Sequence, residues 1–136
     1  MFLHRFLDPE ASVAVAALAR HIFHASGGLT AREARLLIVM YAELGLEIGD
    51  LSPEGDVDEL AHAIRHPRAR AAALLELYRL ASADGPPRGK EQALLERIAD
   101  AWRAPPETRQ WVASWVDRHL RHVDEAESWI DQAGTG

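Results

Sequence analysis

At 136 residues, with 48 % apolar and 26 % charged side chains, the chain has the size and composition of one globular domain, long enough to bury roughly 65–70 % of its unfolded surface. The absence of cysteine excludes disulfides, thiolate catalysis and cysteine-ligated zinc, and it fits a reducing compartment such as the cytoplasm. The net charge of −6 opposes the basic face that nucleic-acid binding requires, and no apolar run approaches the ~20 residues of a membrane span, so neither nucleic acid nor membrane insertion is expected.

The predicted elements are all helical. Asp8 and Pro9 read as an N-cap followed by proline at the first helical position. The helix they open runs to about His24 on Val15, Leu18, Ala19, Ile22 and Phe23, and Gly27 and Gly28 stop it. Thr30 and Glu33 have the spacing of a capping box and open a second helix that carries Leu36, Leu37, Met40, Tyr41 and Leu44 and ends at Gly45. Gly49, Pro53 and Gly55 mark residues 46–55 as a loop. Asp56 and Glu59 cap a short third helix to about Arg65, and Pro67 starts a fourth whose core face is Ala71, Leu74, Leu75, Tyr78 and Ala81. Asp84, Gly85, Pro86 and Pro87 stop it.

A fifth helix follows on Leu94, Leu95, Ile98 and Trp102, and Pro105 and Pro106 break the chain again. The sixth helix carries Trp111, Trp115, Val116, Leu120 and Val123; Trp111 and Trp115, one turn apart, are expected to pack into the core, the alternative being an aromatic groove for a partner helix formed with Trp102. A separate acidic turn or helix is expected around residues 124–131, with Trp129 partly exposed. The expected architecture is an all-α bundle of six to seven helices forming one domain over residues 1–132, with 133–136 as a frayed tail.

The chain repeats itself. Ala25, Ser26, Gly27, Glu33, Leu36 and Leu37 return 58 positions later as Ala83, Asp84, Gly85, Glu91, Leu94 and Leu95, without a gap. The apolar stripes correspond at the same offset: Ile22 with Leu80, Met40 with Ile98, Leu44 with Trp102. Each helix-turn-helix unit alone leaves an apolar face exposed, and packing two such units together buries both.

The segment Tyr78, Arg79, Leu80, Ala81, Ser82, Ala83, Asp84, Gly85, followed by Glu91, Leu94, Leu95, Ile98 and Ala99, resembles the signature of the TerB-like domain family. That family is named for a bacterial tellurite-resistance protein and includes the N-terminal module of a membrane-anchored J-domain co-chaperone. The resemblance covers roughly Val13 to Pro105. It implies an all-helical fold and a role in tellurite and other stress resistance. It also implies that acidic residues of the Asp-Gly…Glu turns bind a divalent cation, which falls here on Asp84 and Glu91. In the first copy Glu33 matches, whereas Ser26 stands where an aspartate would supply a ligand, and a hydroxyl is a weak ligand for a hard cation.

Asp84, Gly85 and Glu91 also have the spacing of the second half of a calcium-binding EF-hand loop, but Leu80 occupies the first ligand position and excludes that loop. A structural reading stands beside the cation reading. Gly85 would end a helix in the left-handed region, Asp84 would bond turn amides, and Glu91 and Glu33 would serve helix starts. The histidine pairs His21/His24, His62/His66 and His119/His122 each lie on one helix face, the spacing that zinc ligation needs, or are ordinary boundary residues. Residues 36–64 hold seven carboxylates and neither lysine nor arginine, so they would draw a cation or basic partner or simply form a solvated loop.

No nucleophile motif, phosphate loop or convergent acid and base is present, so an enzyme is not expected. The reading reached is a cytoplasmic, non-enzymatic module that binds a partner protein, with a divalent cation at Asp84, Glu91 and Glu33. The alternatives are a homodimerising scaffold without metal and a histidine-carboxylate metalloenzyme.

Overall fold

A computed structural model describes residues 3–25, 27–49 and 51–135, with backbone only at residues 3 and 4. Ser26, Asp50 and Gly136, which figure in the sequence analysis, lie outside the described residues. After a 3-10 turn over Leu3–Phe6 come α1 (Pro9–Ala25), α2 (Ala31–Leu44), α3 (Val57–Ala63), α4 (Pro67–Ala81), α5 (Gly89–Ala101) and α6 (Pro106–Thr135). The described residues contain no strand, and the all-α bundle is as the apolar periodicity predicts.

The helix starts follow local chemistry. Asp8 Oδ1 accepts a hydrogen bond from the Ala11 N–H at 2.7 Å, just ahead of Pro9. Thr30 and Glu33 close the capping box in both directions: Thr30 Oγ1 accepts from the Glu33 N–H at 3.1 Å, and Glu33 Oε1 accepts from the Thr30 N–H at 3.0 Å. Asp56 accepts from the amides of Asp58 and Glu59 to open α3, and Pro67 occupies the first turn of α4. Gly45, at φ +71°, ends α2 in the left-handed region.

The 58-residue offset is visible in these boundaries. α1 and α4 start on Pro9 and Pro67, and α2 and α5 start at Ala31 and Gly89, both pairs 58 positions apart. Burial agrees at matched positions, since Ile22 and Leu80, Leu37 and Leu95, and Met40 and Ile98 are all buried.

The packing is not symmetric. α1 is the hub and touches α2, α3, α4 and α5. Its Ala11, Ala14, Ala16, Ala17 and Ala19 let neighbouring helices approach on several sides. The main core joins Leu18, Ile22 and Phe23 of α1 to Leu37 and Met40 of α2, Leu77 and Leu80 of α4, and Leu95 and Ile98 of α5. Each large side chain fully buried there contributes about 1.5–3 kcal/mol. A smaller cluster of Leu74, Ala99, Val112 and Val116 seats the first half of α6.

α6 departs from expectation in three ways. It is one helix of 30 residues, about 45 Å long, so the acidic segment continues it rather than forming a separate element. Its helical geometry runs through residues 133–135, which the sequence analysis assigns to a frayed tail. Trp111 is 55 % exposed rather than in the core. The reason is angular: Val112 and Val116, four apart, take the side facing α4 and α5, and Trp111 is turned about 100° away from Val112. Trp115 is partly buried and stacks on His119 with ring centroids 5.1 Å apart. Trp102 is partly buried and donates its indole N–H to the Ala61 carbonyl at 2.7 Å, tying α5 to α3. Trp129 is exposed, as anticipated.

Candidate functional site

The two elbows that join α1 to α2 and α4 to α5 share a backbone feature. Gly27 has φ +130° and Gly85 φ +129°, a region open to glycine and strained for any other residue. Each glycine N–H donates to the carbonyl three residues back, Gly27 to His24 at 3.3 Å and Gly85 to Ser82 at 3.1 Å.

Folding brings the three acidic candidates together. Glu33, at the start of α2, lines the same depression of about 190 Å³ as Asp84 and Glu91, with Gly85, Pro86 and Arg88 completing the rim. The three carboxylates differ in state. Glu33 is 6 % exposed, and one of its oxygens is occupied by the capping box. Asp84 is solvent-exposed, with Oδ1 3.6 Å from the Arg32 guanidinium. Glu91 is partly buried at the third position of α5, whose N-cap residue, Arg88, makes no side-chain cap.

Arg88 thus lines the depression with the three carboxylates, and Arg32 stands beside Asp84. Among the described residues no three His, Asp or Glu groups are gathered closely enough to hold a metal ion.

The histidines are engaged elsewhere. His21 donates from Nε2 to the carbonyls of Glu54 and Gly55, both at 3.0 Å, and His24 Nε2 donates to the Leu51 carbonyl at 3.1 Å. A carbonyl only accepts, so these ring nitrogens carry the proton. The pair fastens the loop between α2 and α3 onto α1. His62 Nδ1 donates to the Asp58 carbonyl one turn back on α3, at 2.7 Å.

The acidic stretch is dispersed in the same way. Asp56 caps α3, and Asp58 takes a bidentate bond from Arg97 with both contacts at 3.1 Å. That bond and the Arg97 charge hold the Asp58 carboxyl below its ordinary range.

Two features escaped the sequence analysis. One is the bidentate pairing of Glu76 with Arg79, whose Nε and Nη2 donate to the two carboxylate oxygens in a largely buried position of α4. The available signal was a glutamate on the apolar face of α4 with an arginine three residues on. The second is a groove of about 430 Å³ between α2, α4 and α6. No local pattern announces it, because it is a gap left between helices.

Every residue from Arg121 to Thr135 is exposed, and as far as Glu127 this second half of α6 faces the second elbow across a depression of about 340 Å³ shared with Arg32, Tyr78, Ser82, Pro86 and Pro87. Val123, Trp129 and Ile130 are exposed there, and Val123 and Ile130 continue at seven-residue intervals the line begun by the buried Val116. No helix among the described residues is long and apolar enough to cross a membrane.

The model of the family described as tellurite resistance protein TerB matches residues 7–112. Searches of curated proteins and of solved structures return no match. The matched region runs from the approach to α1 into the first turns of α6, so it takes in both elbows and most of the chain and leaves out the second half of α6. With this match, the helical architecture and the paired elbows, the chain belongs to the TerB family of tellurite-resistance proteins.

Proposed function

We propose that this TerB-family chain is a non-enzymatic module that acts by binding a partner protein in tellurite and related stress resistance in the bacterial cytoplasm. The observation that carries this reading is the second half of α6. It is a run of exposed helix with an apolar line through Val123 and Ile130, flanked by Trp129 and four carboxylates (Asp124, Glu125, Glu127 and Asp131), with no lysine or arginine after Arg121. Isolated helices of about 15 residues are marginal in water, so a partner packed along Val123 and Ile130 would stabilise this one. A partner groove with apolar walls and a basic rim matches that chemistry.

The test is affinity capture from the native organism with wild type and with the double variant Val123→Glu, Ile130→Glu. Both positions are exposed, so the bundle folds in either form. The expected result is a prey recovered by the wild type alone, whose deletion lowers tellurite tolerance. Equal recovery by both forms defeats the proposal.

A divalent cation at the second elbow, with Asp84 and Glu91 as its protein ligands and water completing its shell, belongs to the same reading; both line one depression, at whose edge Glu33 is held by its capping box. Calorimetry with Ca²⁺, Mg²⁺, Mn²⁺ and Zn²⁺ tests it. Heat is expected in the wild type, more in Arg32→Ala, where Asp84 is released, and none in Asp84→Asn. Absence of heat in all three removes the cation.

The same α6 stripe favours a second reading, pairing of two copies of the chain. Light scattering across micromolar concentrations decides it: a monomer throughout excludes the homodimer, and a dimer abolished by Val123→Glu, Ile130→Glu establishes it.

A further inference from the structure

α6 and α4 run in the same direction. Val112, early in α6, packs with Leu74 midway along α4, and the later Val116, Leu120 and Val123 line one depression with Tyr78, Ser82 and Gly85. The second half of α6 therefore lies at the pole where α4 ends. The opposite pole carries the start of α4 together with the 3-10 turn of Leu3–Phe6, which packs against α4. α4 alone is about 22 Å long, so the side chains at the two poles of one chain cannot meet each other.

The poles have opposite sign. At the first, Arg5, Arg65 and Arg68 are exposed around the half-buried Phe6. The guanidinium carbons of Arg5 and Arg68 lie 5.7 and 5.1 Å from the centre of the Phe6 ring, so two like charges share one aromatic side chain. Neither forms an ion pair among the described residues. The nearby carboxylates serve other groups: Asp8 caps α1, and Glu10 faces Arg65 at 4.0 Å.

At the second pole Asp124, Glu127 and Asp131 follow at spacings of three and four residues and so share one flank of α6. Asp124 and Glu127 line the depression of about 340 Å³ beside the second elbow, with Val123, Pro86 and Pro87 as apolar lining. Each arginine of that depression has a carboxylate partner, Arg121 with Asp117 at 2.9 Å and Arg32 with Asp84 at 3.6 Å. Negative charge is therefore in excess there.

We propose that the chain associates head to tail, the pole of Arg5, Phe6 and Arg68 of one copy seating against the flank of Asp124, Glu127 and Asp131 in the next. This deepens the second reading above, pairing of copies through α6, by naming the surface that receives the helix. The contact joins unlike surfaces, so a dimer leaves one pole of each sign open and further copies can add. Pairing of two α6 tails with each other is disfavoured, because it sets carboxylate row against carboxylate row.

The test is sedimentation velocity on the full chain, with a head variant, Arg5→Glu, Arg68→Glu, and a tail variant, Glu127→Lys, Asp131→Lys. All four positions are exposed, so the bundle folds in each form, and helical circular dichroism checks it. Wild type is expected to form concentration-dependent oligomers at about 0.02 M salt that dissociate at about 0.5 M, where charges are screened within a few ångströms. Each variant alone should associate at least about tenfold more weakly. An equimolar mixture of the two should associate as wild type does, because each reversed pole meets its match. Equal association of wild type and head variant overturns the proposal while leaving pairing through α6 in place. A mixture that stays monomeric overturns it, as does association indifferent to salt. A wild type that is monomeric at every concentration overturns both.

Discussion

The first elbow, between α1 and α2, and the second, between α4 and α5, share a glycine at φ near +130° and a glutamate at the third position of the following helix. Their chemistry differs. At the first, Thr30 and Glu33 satisfy one another's backbone amides, and Glu33 is sunk in the protein. At the second, Arg88 stands where Thr30 would be and caps nothing, while Asp84 is exposed beside Arg32. One elbow is closed by hydrogen bonds, and at the other Asp84 is exposed and paired with Arg32. The contrast shows how one backbone plan can carry a hydrogen-bonded joint at one end and an ion-paired surface at the other.

The largest expected effect tests whether the two units carry equal weight. Leu37→Ala and Leu95→Ala, at matched buried positions, should each destabilise by about 2–5 kcal/mol in urea unfolding. A large loss at one and a negligible loss at the other would break the equivalence.

The next concerns the caps. Thr30→Ala should cost about 1 kcal/mol, and Arg88→Thr, which rebuilds the missing capping box with Glu91, should add about 0.5–1 kcal/mol. A neutral Arg88→Thr would mean that Glu91 is committed elsewhere.

Gly27→Ala and Gly85→Ala should each cost about 1 kcal/mol by thermal unfolding, since both glycines occupy the positive-φ region. Unequal losses would show that the elbows differ in backbone constraint as well as in side chains.

The smallest effect lies outside the elbows and calibrates them. The Asp58 carboxyl is held below its ordinary pKa by Arg97, so the pair contributes stability that is intact above about pH 4 and fades as pH falls through the lower folded value. Acid titration of unfolding should show this slope in wild type and lose it in Arg97→Gln. An unchanged acid slope in the variant would show that the pair is silent.

Much of the fold was legible locally. Asp8, Thr30, Asp56 and Pro67 each declare a helix start within four residues of chain, and the backbone obeys all four. Trp111 shows where this reasoning slips. An aromatic near two prolines suggests core, but on a helix the side is set by register, and Val112 and Val116 claimed it. The histidine pairs mislead similarly, because helical spacing suggests ligands, whereas His21 and His24 hold a loop 27–34 residues downstream. Nothing in the spacing of the candidate acids tells that Arg32 stands beside Asp84.

Residue order alone reveals where α1 to α4 begin, because each start depends on hydrogen bonds and proline within a few residues, and it carries the 58-residue repeat and the TerB family match. Only the tertiary structure decided that Glu33 faces the same depression as Asp84 and Glu91, that a groove separates α2 from α4 and that α6 outruns its bundle. Those outcomes depend on distances between helices, and these follow from how the side chains of α1 and its neighbours fill a shared volume.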